Sequence, residues 1–483
     1  MEKKLRKSGI LMHITSLPNK YGWGKFSKEA FEFVDFLKSG NFTVWEVLPF
    51  SPTLYGNSPY STYSSFAINP NFLDLTEFLT EEEIKSFCLD KCRSLSDYTK
   101  NMEKALQLVC KKVRDNFNLE KFIKDNSFWI KDYALFVVLK KKFNCPWYEF
   151  SEELKNRNKS SLQKFYIENK EEIEDVILIQ FLLHSQWQKI KDYAKQNGIE
   201  IFGDVPFYVE LDSADVWANP NCWELENGKP KLVAGVPPDY FNSEGQLWGY
   251  PIYNYENLEK ENFKYFIKKF QKLSELFDII RIDHFIGFSR YYSIPAKSKT
   301  AKNGKWNKGA GEKLLNLIIK NCKSQIVAED LGTVTEEVKK LKDRFLIPGV
   351  KVLQFAFDNV GDNAYQPHNY EKNCVAYIGT HDNNTFVGLL NEGDWDKINR
   401  FKRYFQMPLE QGNDVVVDNA ILSLYRSSAN VVIITMQDLL ELGAEARMNT
   451  PGVPEGNWTW QLHGKLDPNL CWRYRELSYL YAR

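Results

Sequence analysis

The chain has 483 residues, 43% of them hydrophobic, which is enough to bury a large core. Its 63 basic and 63 acidic side chains cancel, so neither nucleic acid nor an anionic membrane is favoured as the main partner. Eight cysteines stand at 88, 92, 110, 145, 222, 322, 374 and 471 with no CxxC pair, which predicts free thiols in a reducing, cytoplasmic setting and no zinc site.

MEKKLRK followed by SGILMHITSL has the outline of a signal peptide. However, the apolar run is short, carries His13 and meets Pro18, so a first β-strand is the better reading. No apolar run approaches the ~18 residues a membrane helix needs. Eight strand-like runs then follow in order: 9–14, 43–49, 199–207, 278–285, 325–330, 349–357, 374–382 and 430–438. Helical periodicity separates most of them. Residues 27–38 place apolar side chains at 30, 33, 34 and 37 before Gly40, and 261–277 line up Phe263, Phe266, Ile267, Phe270 and Leu273. Thr333 and Glu336 have the spacing of a capping box. Cys88 and Cys92 fall four apart on an expected helix and read as ordinary packing.

Strands alternating with helices eight times predict an α/β fold, a (β/α)8 TIM barrel forming a single catalytic domain over 1–483. Two insertions are expected. One, at about 76–197, is helical; the other, at about 208–258, is irregular, rich in Trp, Tyr, Pro and Asn, and walls the active-site face. The eighth strand precedes only about 45 residues, so no separate C-terminal β-domain is expected.

Three of the runs end in carboxylates: Asp283 in IIRIDHF, Glu329 in IVAEDLG and Asp382 in VAYIGTHDNN. Parallel barrel strands bring such ends to one face. Retaining cleavage of a glycosidic bond needs two carboxyls about 5 Å apart, one ionised to attack and one protonated to release the leaving oxygen. Arg281, two residues before Asp283, points to the same face and is expected to hold Asp283 ionised with a lowered pKa. Glu329 would need a raised one. A lone acid after a strand more often caps a helix, so the weight rests on the three together. Asp204 in GDVPF reads as a supporting hydrogen-bond partner rather than a catalytic group.

These residues sit in longer motifs. SGILMHITSLP, GNSPYSTYSSFAINP (56–70), CPWYE (145–149), GDVPFYVELDSADVW (203–217), PPDYFNSEGQLWGYPIYNY (237–255), RIDHFIGF (281–288), VAEDLG (327–332), GTHDNNT (379–385) and ARMNTPGVPEGNWTWQL (446–462) resemble the amylomaltases, the 4-α-glucanotransferases of glycoside hydrolase family 77. The resemblance implies transfer of α-1,4-glucan segments between maltooligosaccharides by retaining double displacement, without a cofactor. It also implies roles: Asp283 as nucleophile, Glu329 as acid/base, Asp382 as transition-state stabiliser, Arg281 as partner of the nucleophile and His381 as a hydroxyl ligand. Asp239, Gln246 and Trp248 would line the donor and acceptor groove, Tyr60 would stack on sugar, and Asp358 would contact an acceptor hydroxyl. The chain departs from the family pattern at Tyr250, Ile286 and Gln461, none of them a catalytic position. The carboxylates alone would equally serve an α-amylase-type hydrolase, and a glucan-binding protein on an inactive barrel is a third possibility that their presence disfavours.

Overall fold

The computed structural model describes residues 6–483 apart from 55, 93, 239–242, 333, 360, 411 and 454, with only the backbone described at 413, 414 and 468. Eight parallel strands form the centre: β1 (Lys7–Leu11), β2 (Val44–Val47), β3 (Glu200–Val205), β4 (Ile279–Ile282), β5 (Gln325–Ala328), β6 (Gly349–Val352), β7 (Cys374–Tyr377) and β8 (Val431–Thr435). Their spatial order is β5-β4-β3-β2-β1-β8-β7-β6. The Ala328 N–H donates to Pro348 O at 2.9 Å across the remaining seam, which closes the sheet into the expected barrel.

The β-branched runs explain the inner packing. Leu11, Val44, Phe202, Ile279, Val327, Val350, Val375 and Ile433, one from each strand, join a single buried cluster. Every strand is shorter than its apolar run. The 349–357 run, for example, leaves the sheet after Val352 and continues as a 3-10 turn over Leu353–Phe355. The apolar ends of these runs pack in the loops above the barrel, where periodicity cannot tell strand from turn.

The helix expected at 27–38 spans Lys28–Ser39, with Ala30, Phe33, Val34 and Leu37 buried and Gly40 at its end. The 261–277 pattern divides, because Phe263 takes a left-handed backbone (φ 54°) and the helix starts at Lys264. The helix given the capping-box spacing begins later than that spacing implies. The helix opens at Glu336, which therefore occupies its first position rather than its third, and Thr333 lies outside the described residues. Cys88 and Cys92 are not on a helix; they flank the 3-10 turn Leu89–Lys91, with Cys88 left-handed at φ 50°.

Between β2 and β3 the described residues form helices and 3-10 turns with no strand, ending in the long helix Lys170–Gln196. Two buried glutamines on that helix fix the loop after β2. Gln180 exchanges both amide hydrogen bonds with the Ile68 backbone (2.8 and 2.9 Å), and Gln186 does the same with Asp74 (3.0 and 2.9 Å). The stretch 208–258 is more regular than expected. Its strands Leu232–Val236 and Gln246–Pro251 join Arg290–Pro295 and Lys305–Lys308, from beyond β4, in a four-stranded antiparallel sheet. Half of that sheet's strands lie outside the stretch, so local pattern could not reveal the pairing.

Candidate active site

The strand ends assemble the site. The Asp283 N–H extends the ladder of β4 onto Val205 O, and the Glu329 N–H donates to Ile282 O, both at 3.0 Å. The carboxyl of Glu329 then accepts from the His284 N–H at 2.8 Å and the Leu331 N–H at 2.9 Å. The Glu329 carboxyl is thus held by the residue that follows Asp283. His284 takes a left-handed backbone (φ 52°), uncommon for a non-glycine residue and costly to hold, which places its amide under Glu329.

Arg281 is the buried cation of the group. It ion-pairs with the fully buried Asp204 on β3 and reaches Asp283 Oδ1 at 3.3 Å. Asp204 also accepts from the Tyr60 hydroxyl at 2.5 Å. Asp204 therefore bridges the arginine to the aromatic wall, the supporting position read for it.

Asp382 lies in the loop after β7, half exposed to the groove. Its Oδ1 accepts from Asn449 Nδ2 at 2.6 Å, and His381 Nε2 stands 3.4 Å away. Arg447 clamps the Asp382 carbonyl at 2.7 Å, and the Asn449 N–H donates to His381 O at 3.1 Å. Above this, Tyr60 stacks on His381 with ring centres 5.0 Å apart, and the Trp458 ring tilts onto both at 5.8 and 5.7 Å. On the other side, Trp248 meets His284 edge-on at 4.8 Å and donates its indole N–H to Gln246 at 3.1 Å.

The structure thus groups Asp283, Glu329, Asp382, Arg281, His381 and Tyr60, with Trp248 and Gln246 beside His284. Asp358 is held by Lys397 instead, and Asp239 lies outside the described residues. Sequence reasoning gave no role to His284, Arg447, Asn449 or Trp458. All four fall inside motifs already singled out, but nothing in their spacing marks them as partners of residues up to 398 positions away.

Electrostatics differ from expectation at one point. Burial pushes the Asp283 carboxyl well above its ordinary value; Arg281 pulls it down, while Asp204, Glu329 and Asp382 push it further up. The expected lowering is therefore not seen, because one guanidinium serves several acids. Burial also raises Glu329, offset by Arg281 and the two backbone N–H donors. Two acids raised side by side titrate as a pair. Burial lowers the His381 imidazole, so that ring is neutral at pH 7. Among the described residues no group of three or more His, Cys, Asp or Glu side chains is arranged to hold a metal ion, and no helix is long and apolar enough to cross a membrane.

The departures from the family pattern are accommodated locally. Gln461 donates to the carbonyls of Leu17 and Gly22, each at 2.8 Å, and Tyr250 stacks on Tyr208 at 6.0 Å.

The family model described as 4-alpha-glucanotransferase, of glycoside hydrolase family 77, matches residues 12–467. Relatives bearing that name include the Clostridium butyricum protein, 40% identical over 98% of this chain and 100% of its own, and the Aquifex aeolicus protein, 41% identical over 95% and 96%. Among solved structures, the amylomaltase from Streptococcus agalactiae in complex with acarbose aligns with a TM-score of 0.90 at 32% identity, over 99% of both chains. The amylomaltase from Corynebacterium glutamicum shares the fold, with a TM-score of 0.76 at 16% identity over 99% of this chain and 75% of its own. A barrel with carboxylates at its strand ends, matched along nearly its whole length, belongs to the 4-alpha-glucanotransferase family.

Proposed function

We propose that this enzyme moves α-1,4-glucan segments between maltooligosaccharides by double displacement, with Asp283, Glu329 and Asp382 carrying the chemistry. An Asp283 oxygen attacks the anomeric carbon while Glu329 gives its proton to the departing glycosidic oxygen. The leaving glucan departs with a free 4-hydroxyl and the remainder stays esterified to Asp283. An acceptor 4-hydroxyl then gives its proton to Glu329, its oxygen attacks the same carbon, and Asp283 is released with net retention. Asp382, braced by Asn449, faces the positive charge that develops on the sugar.

The observation that carries this reading is the Glu329 carboxyl held on the amide that follows Asp283. It supports an acid and a nucleophile reaching one bond. Tyr60, His381 and Trp458 supply ring faces and a neutral imidazole for one sugar, while Gln246 and Trp248 offer an amide and an indole for another. Asp239 and Asp358 complete the proposed groove, the latter after Lys397 yields it. We place the whole chain in one catalytic unit, with the segments 76–197 and 208–258 as insertions, working in the cytoplasm.

Incubation with maltotriose tests the activity. Glucose together with a ladder of longer chains is expected. Shorter sugars alone would mean a hydrolase, and an unchanged substrate would overturn the proposal.

A further inference from the structure

Glu46 is a carboxyl inside the barrel that the mechanism does not use. It aligns with Leu11 on β1 and Phe202 on β3, and the residues two before and after it, Val44 and Leu48, belong to the inner apolar cluster. It is 2% exposed. The Tyr377 hydroxyl on β7 donates to its Oε1 at 3.0 Å, while Oε2 is buried without a partner among the described residues. The charged and titratable groups facing it are Arg281 on β4, Asp204 on β3 and Tyr377 on β7. Arg281 is the cation among them, and its charge is already engaged by Asp204 and Asp283.

We propose that Glu46 works as a neutral carboxylic acid, a positioning residue beneath Arg281 that leaves the guanidinium's charge to Asp204 and to the nucleophile. The proposal rests on the reading of Asp283 given above. A bare carboxylate here would be a buried anion with no cation of its own and one empty acceptor, a costly state. The protonated acid keeps the Tyr377 bond and adds no charge. Burial, joined by Asp204 and offset by Arg281 and Tyr377, pushes the Glu46 carboxyl up to about 8. Ionisation above that pH sets Glu46 against Asp283 for the same guanidinium and weakens the hold on the attacking carboxylate.

The test compares wild type with Glu46→Gln, which matches the protonated acid in shape, and with Glu46→Leu, which removes the Tyr377 bond. Transfer on maltotriose and melting temperature are each followed from pH 5 to pH 9. Glu46→Gln is expected to support turnover at neutral pH and to move the alkaline fall in kcat/KM upward. Because the folded acid holds its proton where the unfolded one releases it, wild type loses stability as pH rises from about 4.5 to about 8. Glu46→Gln escapes that loss, so its advantage in melting temperature widens by ~2 °C or more across this window. Coincident pH profiles and parallel melting curves would overturn the proposal. So would a Glu46→Gln enzyme inactive at every pH while Glu46→Leu remains active. A wild-type enzyme without transferase activity would instead sink the functional reading, and the melting comparison would still report on Glu46.

Discussion

The backbone N–H of His284 holds the Glu329 carboxyl at 2.8 Å, so the residue following the nucleophile is also the support of the acid. With Leu331 on its other oxygen at 2.9 Å, both Glu329 oxygens accept a backbone N–H, and the protonated acid keeps its O–H to deliver a proton to a sugar. Its replacement should be felt only where the leaving group needs that proton. Glu329→Ala is expected to lose ~10²–10⁴ in kcat on maltotriose. With an α-maltosyl fluoride donor, whose fluoride leaves unaided, formation of the intermediate should survive. Asp283→Asn should lose both. Fluoride release measured with the two variants checks this, and equal losses on both donors would remove the acid role from Glu329.

Asn449 should matter nearly as much as a residue that touches sugar. Its 2.6 Å bond to Asp382 is charge-assisted, and bonds of that kind contribute ~1.5–3 kcal/mol. Asn449→Leu is therefore expected to lower kcat by about tenfold to a hundredfold. Affinity for a maltooligosaccharide, read from quenching of tryptophan fluorescence, should change much less. A loss confined to affinity would mean that Asn449 serves binding rather than orientation of Asp382.

The parts of this arrangement legible in the sequence are those that local pattern encodes. All eight strands were found because barrel strands are buried on both faces and read as continuous β-branched runs. The grouping of Asp283, Glu329 and Asp382 at one face was legible because each follows such a run. The antiparallel sheet was missed because Arg290–Pro295 pairs with Leu232–Val236, 57 to 63 residues earlier, and no local period records a partner. Asn449 and Trp458 were missed for the same reason. Their roles exist only once the loop after β8 folds back over the loop after β7. The raised Asp283 carboxyl was missed because spacing shows Arg281 on the right face without showing that Asp204 takes its charge first.

That buried pair should be fragile when halved. Asp204→Ala leaves Arg281, at 5% exposure, with only the longer 3.3 Å contact to Asp283, and breaking a buried ion pair from one side typically costs ~3–5 kcal/mol. Tyr60→Phe removes the 2.5 Å hydroxyl bond to Asp204 and the 3.5 Å contact with His381 Nδ1, and keeps the stacking on His381. Denaturant unfolding should therefore show a large loss for Asp204→Ala and a loss of about 1 kcal/mol for Tyr60→Phe. Equal losses would mean that the hydroxyl, not the guanidinium, holds Asp204.

The balance between transfer and hydrolysis is expected to depend on Trp248. Its ring stands edge-on to His284 and caps the side of the groove next to the nucleophile. An acceptor sugar seated there would keep water from the intermediate. Trp248→Ala should raise the ratio of glucose equivalents released by water to chains elongated, measured with maltotriose at fixed conversion. An unchanged ratio would place the barrier to water elsewhere.

Acid stability should carry the signature of His13. This residue follows β1, is 5% exposed, and packs edge-on against Phe72 at 5.7 Å with its Nδ1 unpartnered among the described residues. Burial, with a smaller push from His381, lowers its imidazole to about 3. The unfolded chain takes up a proton there near pH 6.5 and the folded chain does not. The contribution to stability is thus complete above pH 6.5 and is lost as pH falls toward 3, by about 1.4 kcal/mol per pH unit within that window. Glu46 acts in the opposite direction over part of the same range, so the group is isolated only by comparing variants at each pH. His13→Phe fits among the neighbouring rings and carries no proton. Its stability relative to wild type, from urea unfolding at pH 7, 6, 5 and 4, should rise step by step as pH falls. A constant difference would show that His13 is protonated in the fold, and that the acid sensitivity of the barrel lies in its carboxylates.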